Sequence, residues 1–270
     1  MSPRSTVHSP QLKRILKKLK SVVVAYSGGL DSTFLLKVAV DALGKRNVLA
    51  VTARSETYPL SEYKEARRLV KKIGARHLTI YTRELGIKNF RKNPVNRCYY
   101  CKRELFRKLD SLKSKYGMSF VIDGTNYDDL KDVRYGRRAA KELGVKSPLL
   151  AAKLTKDDIR RLSKRLKLPT WDKPSFACLA SRVPFNMNIS KQDLARIDRA
   201  EASLKRLGFR QVRARLHKET VRLEFYPDDF RKVLSANIRH RLVRDLKSLG
   251  FKYVTLDLEG YRTGSMNVTT

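Results

Sequence analysis

Hydrophobic residues occur along the chain in two spacings, as short continuous runs and as positions three or four apart. The run at 22–24 is apolar and β-branched, which is typical of a strand buried on both faces of a parallel sheet. Similar runs predict strands at 47–53, 76–81 and 118–123, and helical spacing predicts helices between them, for example at 60–73. Strands that alternate with helices of this length predict an α/β fold with a doubly wound parallel sheet.

The spacing changes near residue 185. A proline-containing stretch at 168–188 follows neither a helical nor a strand period, so we predict a domain boundary there. Residues 1–185 are predicted to form the α/β domain, and residues 186–270 a smaller C-terminal α+β domain for substrate binding or oligomerisation. Its predicted elements are a helix at 190–207 capped by Ser190, strands at 212–216 and 220–226, helical material at 228–249 and a strand at 253–258.

Composition limits the classes of function. The chain has no apolar run of 18 residues, which predicts that nothing spans a membrane. Its lysine-rich stretch at 11–20 is amphipathic rather than apolar, so it is not a secretory signal and the protein is predicted to be cytoplasmic. The formal net charge of +34 is compatible with a nucleic-acid partner, since a positive field attracts phosphate backbones. Lys and Arg are spread over nearly every predicted helix without an RNA-binding signature, so solvated charges of a basic proteome or a thermophile surface are the preferred interpretation.

The turn after the first strand has the composition of an anion site. Gly28 and Gly29 allow backbone N–H groups to approach a phosphate, and the following helix directs its N-terminal dipole at the same point. Hydroxyl donors come from Ser27, Ser32 and Thr33. The spacing is not that of the Walker loop, and an ordinary glycine turn is the alternative.

The stretch Ser27-Gly28-Gly29-Leu30-Asp31-Ser32 resembles the PP-loop of enzymes that cleave ATP to AMP and pyrophosphate. The resemblance implies that Asp31 helps to hold Mg²⁺ on the pyrophosphate and that Asp31 and Ser32 act in catalysis.

Two further loops follow predicted parallel strands and should meet the PP-loop at the same edge of the sheet. We expect Ala53 and Arg54 near the adenine base, and Gly124, Thr125 and Asn126 near the ribose and phosphates. An ordinary turn capped by asparagine is the alternative for the last three residues.

The three cysteines point to metal or redox chemistry rather than to a structural disulfide. Cys98 and Cys101 follow the spacing Cys-x-x-Cys after a predicted loop at 83–97, and Cys178 lies far along the chain. The pair alone has three interpretations: a redox disulfide, half of a zinc site, or a corner of an iron–sulfur site. Because no histidine has ligand spacing with the pair, three thiolates match a [4Fe–4S] cluster with one open iron.

Longer motifs resemble the LarE family of ATP-dependent sulfur transferases over nearly the whole chain. They are Arg97–Lys102, Asp123–Asn126, Ala177–Arg182 and the terminal Gly260-Tyr261-Arg262-x-Gly264-Ser265-Met266-Asn267. The resemblance implies that Cys178 is the position of the sulfur source. It also identifies the chain with the three-cysteine type, in which Cys98, Cys101 and Cys178 hold a [4Fe–4S] cluster and external sulfide or a sulfur carrier supplies the sulfur.

The resemblance also implies the reaction and the partners. ATP and Mg²⁺ would adenylate a carboxylate of a nicotinate-derived mononucleotide, pyrophosphate would leave into the PP-loop, and sulfur would replace AMP to give a thiocarboxylate for a nickel-pincer cofactor. A homo-oligomer is expected.

In the C-terminal domain, the residues implied by the resemblance are charged. Arg213 would bind the substrate phosphate, Glu201 would bind a metal, and Glu224 would lie in the same site, with Asp228 or Asp229 as a further candidate. Arg182 would touch phosphate or hold the Cys178 loop.

Two other functions compete with this one. A PP-loop enzyme that thiolates tRNA through a [4Fe–4S] cluster would use the charge of +34 directly. A regulatory protein that only binds ATP or a cluster would release no pyrophosphate.

Overall fold

The computed structural model describes residues 4–130 and 135–262, with side chains from Pro10 onward. Its strands are β1 (Val22–Ala25), β2 (Val48–Arg54), β3 (Arg76–Tyr81), β4 (Phe120–Ile122), β5 (Val212–His217), β6 (Thr220–Phe225) and β7 (Tyr253–Leu256). Its helices are α1 (Arg4–Leu19), α2 (Leu30–Leu43), α3 (Leu60–Ile73), α4 (Lys88–Arg91), α5 (Arg97–Lys115), α6 (Tyr135–Glu142), α7 (Pro148–Ala151), α8 (Lys156–Arg165), α9 (Lys191–Arg206), α10 (Phe230–Leu234) and α11 (Ala236–Ser248). Among these described residues, none of the helices is both long and apolar enough to cross a bilayer.

The first four strands form one parallel sheet in the order β3-β2-β1-β4. Val22 of β1 stands opposite Val48 of β2 on one side and Phe120 of β4 on the other. Alternate residues of β1 enter different cores: Val22 and Val24 pack with α1, α2 and α8, whereas Val23 packs with α5 and α6. Helices therefore cover both faces, which confirms the predicted doubly wound α/β fold.

The predicted bounds agree best where the periodicity is strong. The predicted helix at 60–73 and strand at 76–81 match α3 and β3. The strand predicted at 118–123 is shorter in the structure, where β4 spans Phe120–Ile122. At its two ends the backbone N–H groups have other partners: Met118 donates to the Lys113 carbonyl of α5, and Asp123 donates to the Lys146 carbonyl.

The helical material predicted at 228–249 is present and is divided into a short turn at Pro227–Asp229, α10 and α11. Ser235 has an extended ψ of 139° and separates α10 from α11. Its N–H and hydroxyl both donate to the Lys232 carbonyl, which ends the first helix locally. The predicted loop at 83–97 contains the one-turn helix α4, and the short helices α6 and α7 were not predicted.

Contacts divide the chain into two compact units that alternate along the sequence. The first contains Met1–Ser55, Glu62–Glu84 and Asn96–Phe176, and the second contains Glu56–Ser61, Leu85–Val95 and Ala177–Thr270. The first unit holds the parallel sheet. The domain ranges 1–185 and 186–270 stay a prediction.

The second unit contains a sheet of three strands in the order β5-β6-β7. Strands β5 and β6 pair antiparallel, and β7 joins β6 in parallel. The preceding helix α9 begins after Ser190, whose hydroxyl accepts the Asp193 N–H as predicted for a cap. The described elements follow the predicted order α-β-β-α-β.

Candidate functional site

The PP-loop is the turn between β1 and α2, and its shape requires glycine at one position. Gly28 has a φ of +65°, in the left-handed region. A Cβ atom at Gly28 would lie 2.7 Å from the Cβ and 2.9 Å from the Cα of Ala66 in α3. Close packing against α3 and the left-handed backbone both exclude a larger residue.

The hydroxyls of Ser27 and Ser32 lie together in this turn. Their oxygens are 3.1 Å apart, and the Ser32 hydroxyl accepts the Ser27 N–H at 3.3 Å. Thr33 is fully buried in the first turn of α2. The structure thus brings two of the three predicted hydroxyl donors to one point and buries the third.

Asp31 projects from the first turn of α2 and receives two donors from distant parts of the chain. The Asn126 amide nitrogen lies 3.3 Å from its Oδ1, and the Lys156 Nζ lies 2.5 Å from its Oδ2. Sequence reasoning placed Asn126 near this point but missed Lys156. The only local signal for Lys156 is a helix start, which does not show what its side chain meets.

The loop after β4 packs closely on the PP-loop. A Cβ atom at Gly124 would lie 3.1 Å from the Ser32 nitrogen and 3.3 Å from the Asp31 Cβ. The Asp123 carboxylate accepts from the N–H and hydroxyl of Thr125, at 3.2 and 2.8 Å.

Asn126 both stabilises the turn after β4 and contacts Asp31 of the PP-loop. Its carbonyl oxygen accepts the N–H groups of Asp128 and Asp129, as expected for a capping asparagine. Its amide nitrogen is thereby directed at Asp31. The two interpretations of this residue are compatible in one geometry.

Lys173 contacts the backbone of the PP-loop at Gly28. Its Nζ lies 3.3 Å from the Gly28 carbonyl oxygen and 2.8 Å from carboxylate oxygens of both Glu62 and Glu65. Burial disfavours the ammonium, but these two carboxylates outweigh it and raise the pKa of Lys173. Sequence reasoning missed this residue, which lies in the proline-containing stretch.

The residues predicted near the adenine base lie at the end of β2. The Arg54 guanidinium lies over the rings of Tyr63 and Tyr81, at 5.2 and 5.8 Å from their centroids. Ala53 is half-buried beside it. Their contact with a base stays a prediction.

A magnesium ion bound with ATP is compatible with Asp31. Mg²⁺ is commonly held by one or two carboxylates together with substrate phosphates, and Asp31 offers one carboxylate beside the phosphate-binding turn. No group of three or more His, Cys, Asp or Glu side chains placed to hold a metal ion occurs among residues 4–130 and 135–262.

Cys98 and Cys101 lie on the first turns of α5, where their side chains are exposed and half-buried respectively. Residues three apart share a helix face, so the pair can offer two thiolates to one centre. The Cys101 Sγ lies 3.9 Å from Oε1 of the buried Glu84. Cys178 belongs to the second unit, so the three-cysteine ligand set stays a prediction.

In the second unit, Arg182 holds the backbone around Cys178. Its Nη1 donates to the carbonyl oxygens of Ala177 and Cys178 at 2.6 and 3.0 Å. Its Nε and Nη2 donate to both carboxylate oxygens of Glu201. Of the two roles predicted for Arg182, this geometry supports holding the loop.

The predicted C-terminal site is a buried network of charges. Both carboxylate oxygens of Glu224 accept from Arg215, at 3.0 and 2.9 Å, and Arg215 was missed by sequence reasoning. Because the oxygens of Glu201 and Glu224 are occupied by arginines, this arrangement presents neither carboxylate to a metal. Metal binding by Glu201 therefore stays a prediction, and no step is derived through such a metal.

Arg213 is also part of this network. It is 6% exposed, and its guanidinium lies 5.1 Å from the centroid of the Tyr261 ring. Burial and then the like charge of Arg182 lower the pKa of Arg213. A buried guanidinium beside another cation is suited to binding an anion, because the anion would reduce the repulsion between the two positive charges. Asp228 and Asp229 lie in a short turn after β6, and Gly264–Asn267 of the terminal motif lie outside the described residues.

Comparisons with known proteins cover most of the chain. A family model described as NAD synthase matches residues 11–96. The chain is 42% identical over 256 residues to an uncharacterised protein of Synechocystis sp., covering 95% of each chain. It is 37% identical over 254 residues to the pyridinium-3,5-bisthiocarboxylic acid mononucleotide synthase of Lactiplantibacillus plantarum, covering 94% of this chain and 91% of that enzyme.

Proposed function

Because the chain belongs to the LarE family of PP-loop enzymes, we propose that it is an ATP-dependent sulfur transferase acting on a pyridinium mononucleotide. The observation that carries the proposal is the match, at 37% identity over 94% of this chain, to a synthase that is named for a bisthiocarboxylic acid mononucleotide. The substrate with oxygen in place of sulfur is the corresponding dicarboxylic acid, a nicotinate-derived mononucleotide. The grouping of Ser27, Ser32 and Asp31 supports ATP cleavage at the PP-loop.

The first step activates a carboxylate. A free carboxylate is a poor electrophile, so one of its oxygens attacks the α-phosphorus of ATP and the bond to pyrophosphate breaks. The hydroxyls of Ser27 and Ser32 and the N–H groups of the turn are fixed donors for the departing pyrophosphate. Mg²⁺, when bound at Asp31, neutralises charge on the polyphosphate.

The second step replaces AMP by sulfur. A sulfur nucleophile attacks the acyl carbon of the mixed anhydride, AMP leaves, and a thiocarboxylate remains. We propose Cys178 at the position of the sulfur source, with Cys98 and Cys101 completing the ligands of a [4Fe–4S] cluster. Such a cluster, when bound, supplies an open iron for sulfide from solution or from a sulfur carrier.

Arg213 is proposed to bind the phosphate of the mononucleotide. Its planar guanidinium can donate to two phosphate oxygens, and its burial strengthens such a contact. The anion would also offset the repulsion between Arg213 and Arg182.

The test is a reaction with ATP, Mg²⁺, sulfide and the pyridinium-3,5-dicarboxylic acid mononucleotide under anaerobic conditions. We expect equal amounts of AMP and pyrophosphate, and a product mass in which sulfur replaces oxygen. Asp31→Asn should lose pyrophosphate release. Asp41→Asn is the matched control, because Asp41 lies on the same helix and pairs with Lys37 at the surface. No pyrophosphate with this acceptor would refute the proposal.

The net charge of +34 keeps tRNA as an alternative acceptor. Thiolated tRNA as product, with an affinity that falls steeply with salt, would favour it over the mononucleotide. A homo-oligomer and a cytoplasmic location remain expectations, and sedimentation would measure the former.

A further inference from the structure

A cavity of about 150 Å³ lies beside helix α2 in the first unit. Its walls come from α2, from α3 and from the chain that follows α8. A cavity of this volume can hold one benzene molecule. Ser27, Asp31 and Ser32, which lie together in the PP-loop, do not line it. The cavity is therefore a different place from the turn at which pyrophosphate is proposed to bind.

The inner end of the cavity is mostly aliphatic. Leu69 of α3 and Leu168 after α8 line it and are only 3% and 6% exposed. Ile73 lies one helical turn after Leu69, so the two side chains share a face of α3. The buried Thr33 of α2 completes this end. Walls of this kind favour an apolar ligand body, because they cannot replace the water that a polar group would lose.

The cavity also carries three lysines, and among the described residues that line it none is acidic. Lys37 is the only basic residue of α2, and its pair with Asp41 at 2.6 Å partly offsets its charge. Lys72 and Lys167 are exposed, and neither forms an ion pair within the part of the chain that the structure describes. The mouth of the cavity is therefore electropositive.

We propose that this cavity binds a monocarboxylic acid whose apolar body is about the size of a benzene ring. The apolar body occupies the aliphatic end, and the carboxylate meets the ammonium groups of Lys72 and Lys167 at the mouth. A neutral ligand lacks this attraction, and a cationic ligand is repelled. A polyphosphate does not fit, because the aliphatic walls would remove water from its charges without replacing it. The inference does not depend on the proposed function.

The test is a titration of the full chain with benzoate, followed by the methyl resonances of Leu69, Ile73 and Leu168 in NMR spectra. Benzamide has the same ring without the charge, and benzylamine carries the opposite charge. We expect one benzoate to bind with a dissociation constant of about 0.1–1 mM, as is reasonable for a ligand of this size. Benzamide should bind about tenfold more weakly. Benzylamine should not saturate the shifts.

Two double variants separate the cavity from the general positive field of the chain. Lys72→Met with Lys167→Gly removes both ammonium groups at the mouth. Glycine suits Lys167, since its φ of +52° lies in the left-handed region after the end of α8. The matched control is Lys71→Met with Lys153→Gly, because Lys71 neighbours Lys72 on α3 and Lys153 has a φ of +55°. Neither control residue lines the cavity.

Both double variants lose two positive charges, but only the first should lose affinity for benzoate. Each exposed ion pair contributes up to about fivefold, so we expect about a tenfold loss for the first and less than about twofold for the control. Ile73→Phe should place a ring in the cavity and abolish binding with all the lysines present. Thermal unfolding without ligand checks that each variant is folded.

Three results would overturn the proposal. Equal affinities for benzoate and benzamide would show that the lysines do not select the anion. Equal losses in the two double variants would show that benzoate responds only to net charge. Displacement of benzoate by pyrophosphate, with no shift of the Leu69, Ile73 and Leu168 methyl signals, would place benzoate at the PP-loop instead.

Discussion

The guanidinium of Arg182 and the carboxylate of Glu201 form a two-point contact inside the second unit. The Nε–Oε1 distance is 2.8 Å and the Nη2–Oε2 distance is 2.9 Å, with side chains only 1% and 6% exposed. Burial disfavours both charges, but each partner outweighs it, raising the pKa of Arg182 and lowering that of Glu201. This pair fastens the Cys178 loop to α9.

Glu201→Gln should destabilise the protein strongly. Removing one charge leaves the Arg182 guanidinium buried without its counter-ion, a change that costs about 3 kcal/mol or more. Denaturant unfolding measures the loss. Glu259→Gln is the control, because its pair with Arg262 is exposed and should contribute less than about 1 kcal/mol.

The same variant should change the reactivity of Cys178. With Arg182 no longer fixed by Glu201, its bonds to the Ala177 and Cys178 carbonyls weaken, so we expect faster alkylation of the Cys178 thiol. Comparable losses of stability in Glu201→Gln and Glu259→Gln, with an unchanged alkylation rate, would contradict this account.

Gly28→Ala should abolish ATP binding and destabilise the fold. The left-handed backbone costs a side chain about 1–2 kcal/mol. The contact with Ala66 at 2.7 Å adds overpacking of about 1–3 kcal/mol. Gly117→Ala separates the two effects, since Gly117 has a φ of +62° and no atom within 4 Å of an added Cβ. Equal melting temperatures for the two variants would mean that the contact with Ala66 relaxes freely.

Tyr26 should give the fold a measurable sensitivity to alkaline pH. Burial raises the pKa of Tyr26 from 10.0 to about 12. Its contribution to stability is fully present below pH 10 and is lost as the pH rises through about 12, because only the unfolded chain ionises readily between them. The loss amounts to about 2–3 kcal/mol.

Difference absorbance of tyrosinate between wild type and Tyr26→Phe isolates this group. The wild type should show one additional ionisation near pH 12. An additional ionisation near pH 10 instead would show that solvent reaches the hydroxyl.

The cluster hypothesis predicts the metal content of cysteine variants. Anaerobically purified wild type should contain about four irons and about four sulfides per chain. Cys178→Ser should lose them if Cys178 is a ligand with Cys98 and Cys101. No iron in the wild type, with Cys178 lighter by hydrogen sulfide after turnover, would mean that the protein consumes its own cysteine.

Local pattern was sufficient for much of the fold. The β-branched run of β1, the Ser27-Gly28-Gly29 turn and the periodicity of α3 depend on neighbours within a few residues, so the strand–turn–helix unit was predicted correctly. The parallel order placed Gly124 and Asn126 beside Asp31, because the carboxyl ends of adjacent strands share one edge.

The pairings of charged side chains were decided only by the tertiary structure. Lys156 meets Asp31 across 125 positions, and Arg182 meets Glu201 across 19. In a chain with 60 Lys and Arg against 26 Asp and Glu, the sequence offers each carboxylate many equivalent cations. Hydrophobic periodicity reports which face of an element is buried, but not which distant charge it meets there. That choice follows from how the elements pack, since burial makes only a closely matched partner stabilising.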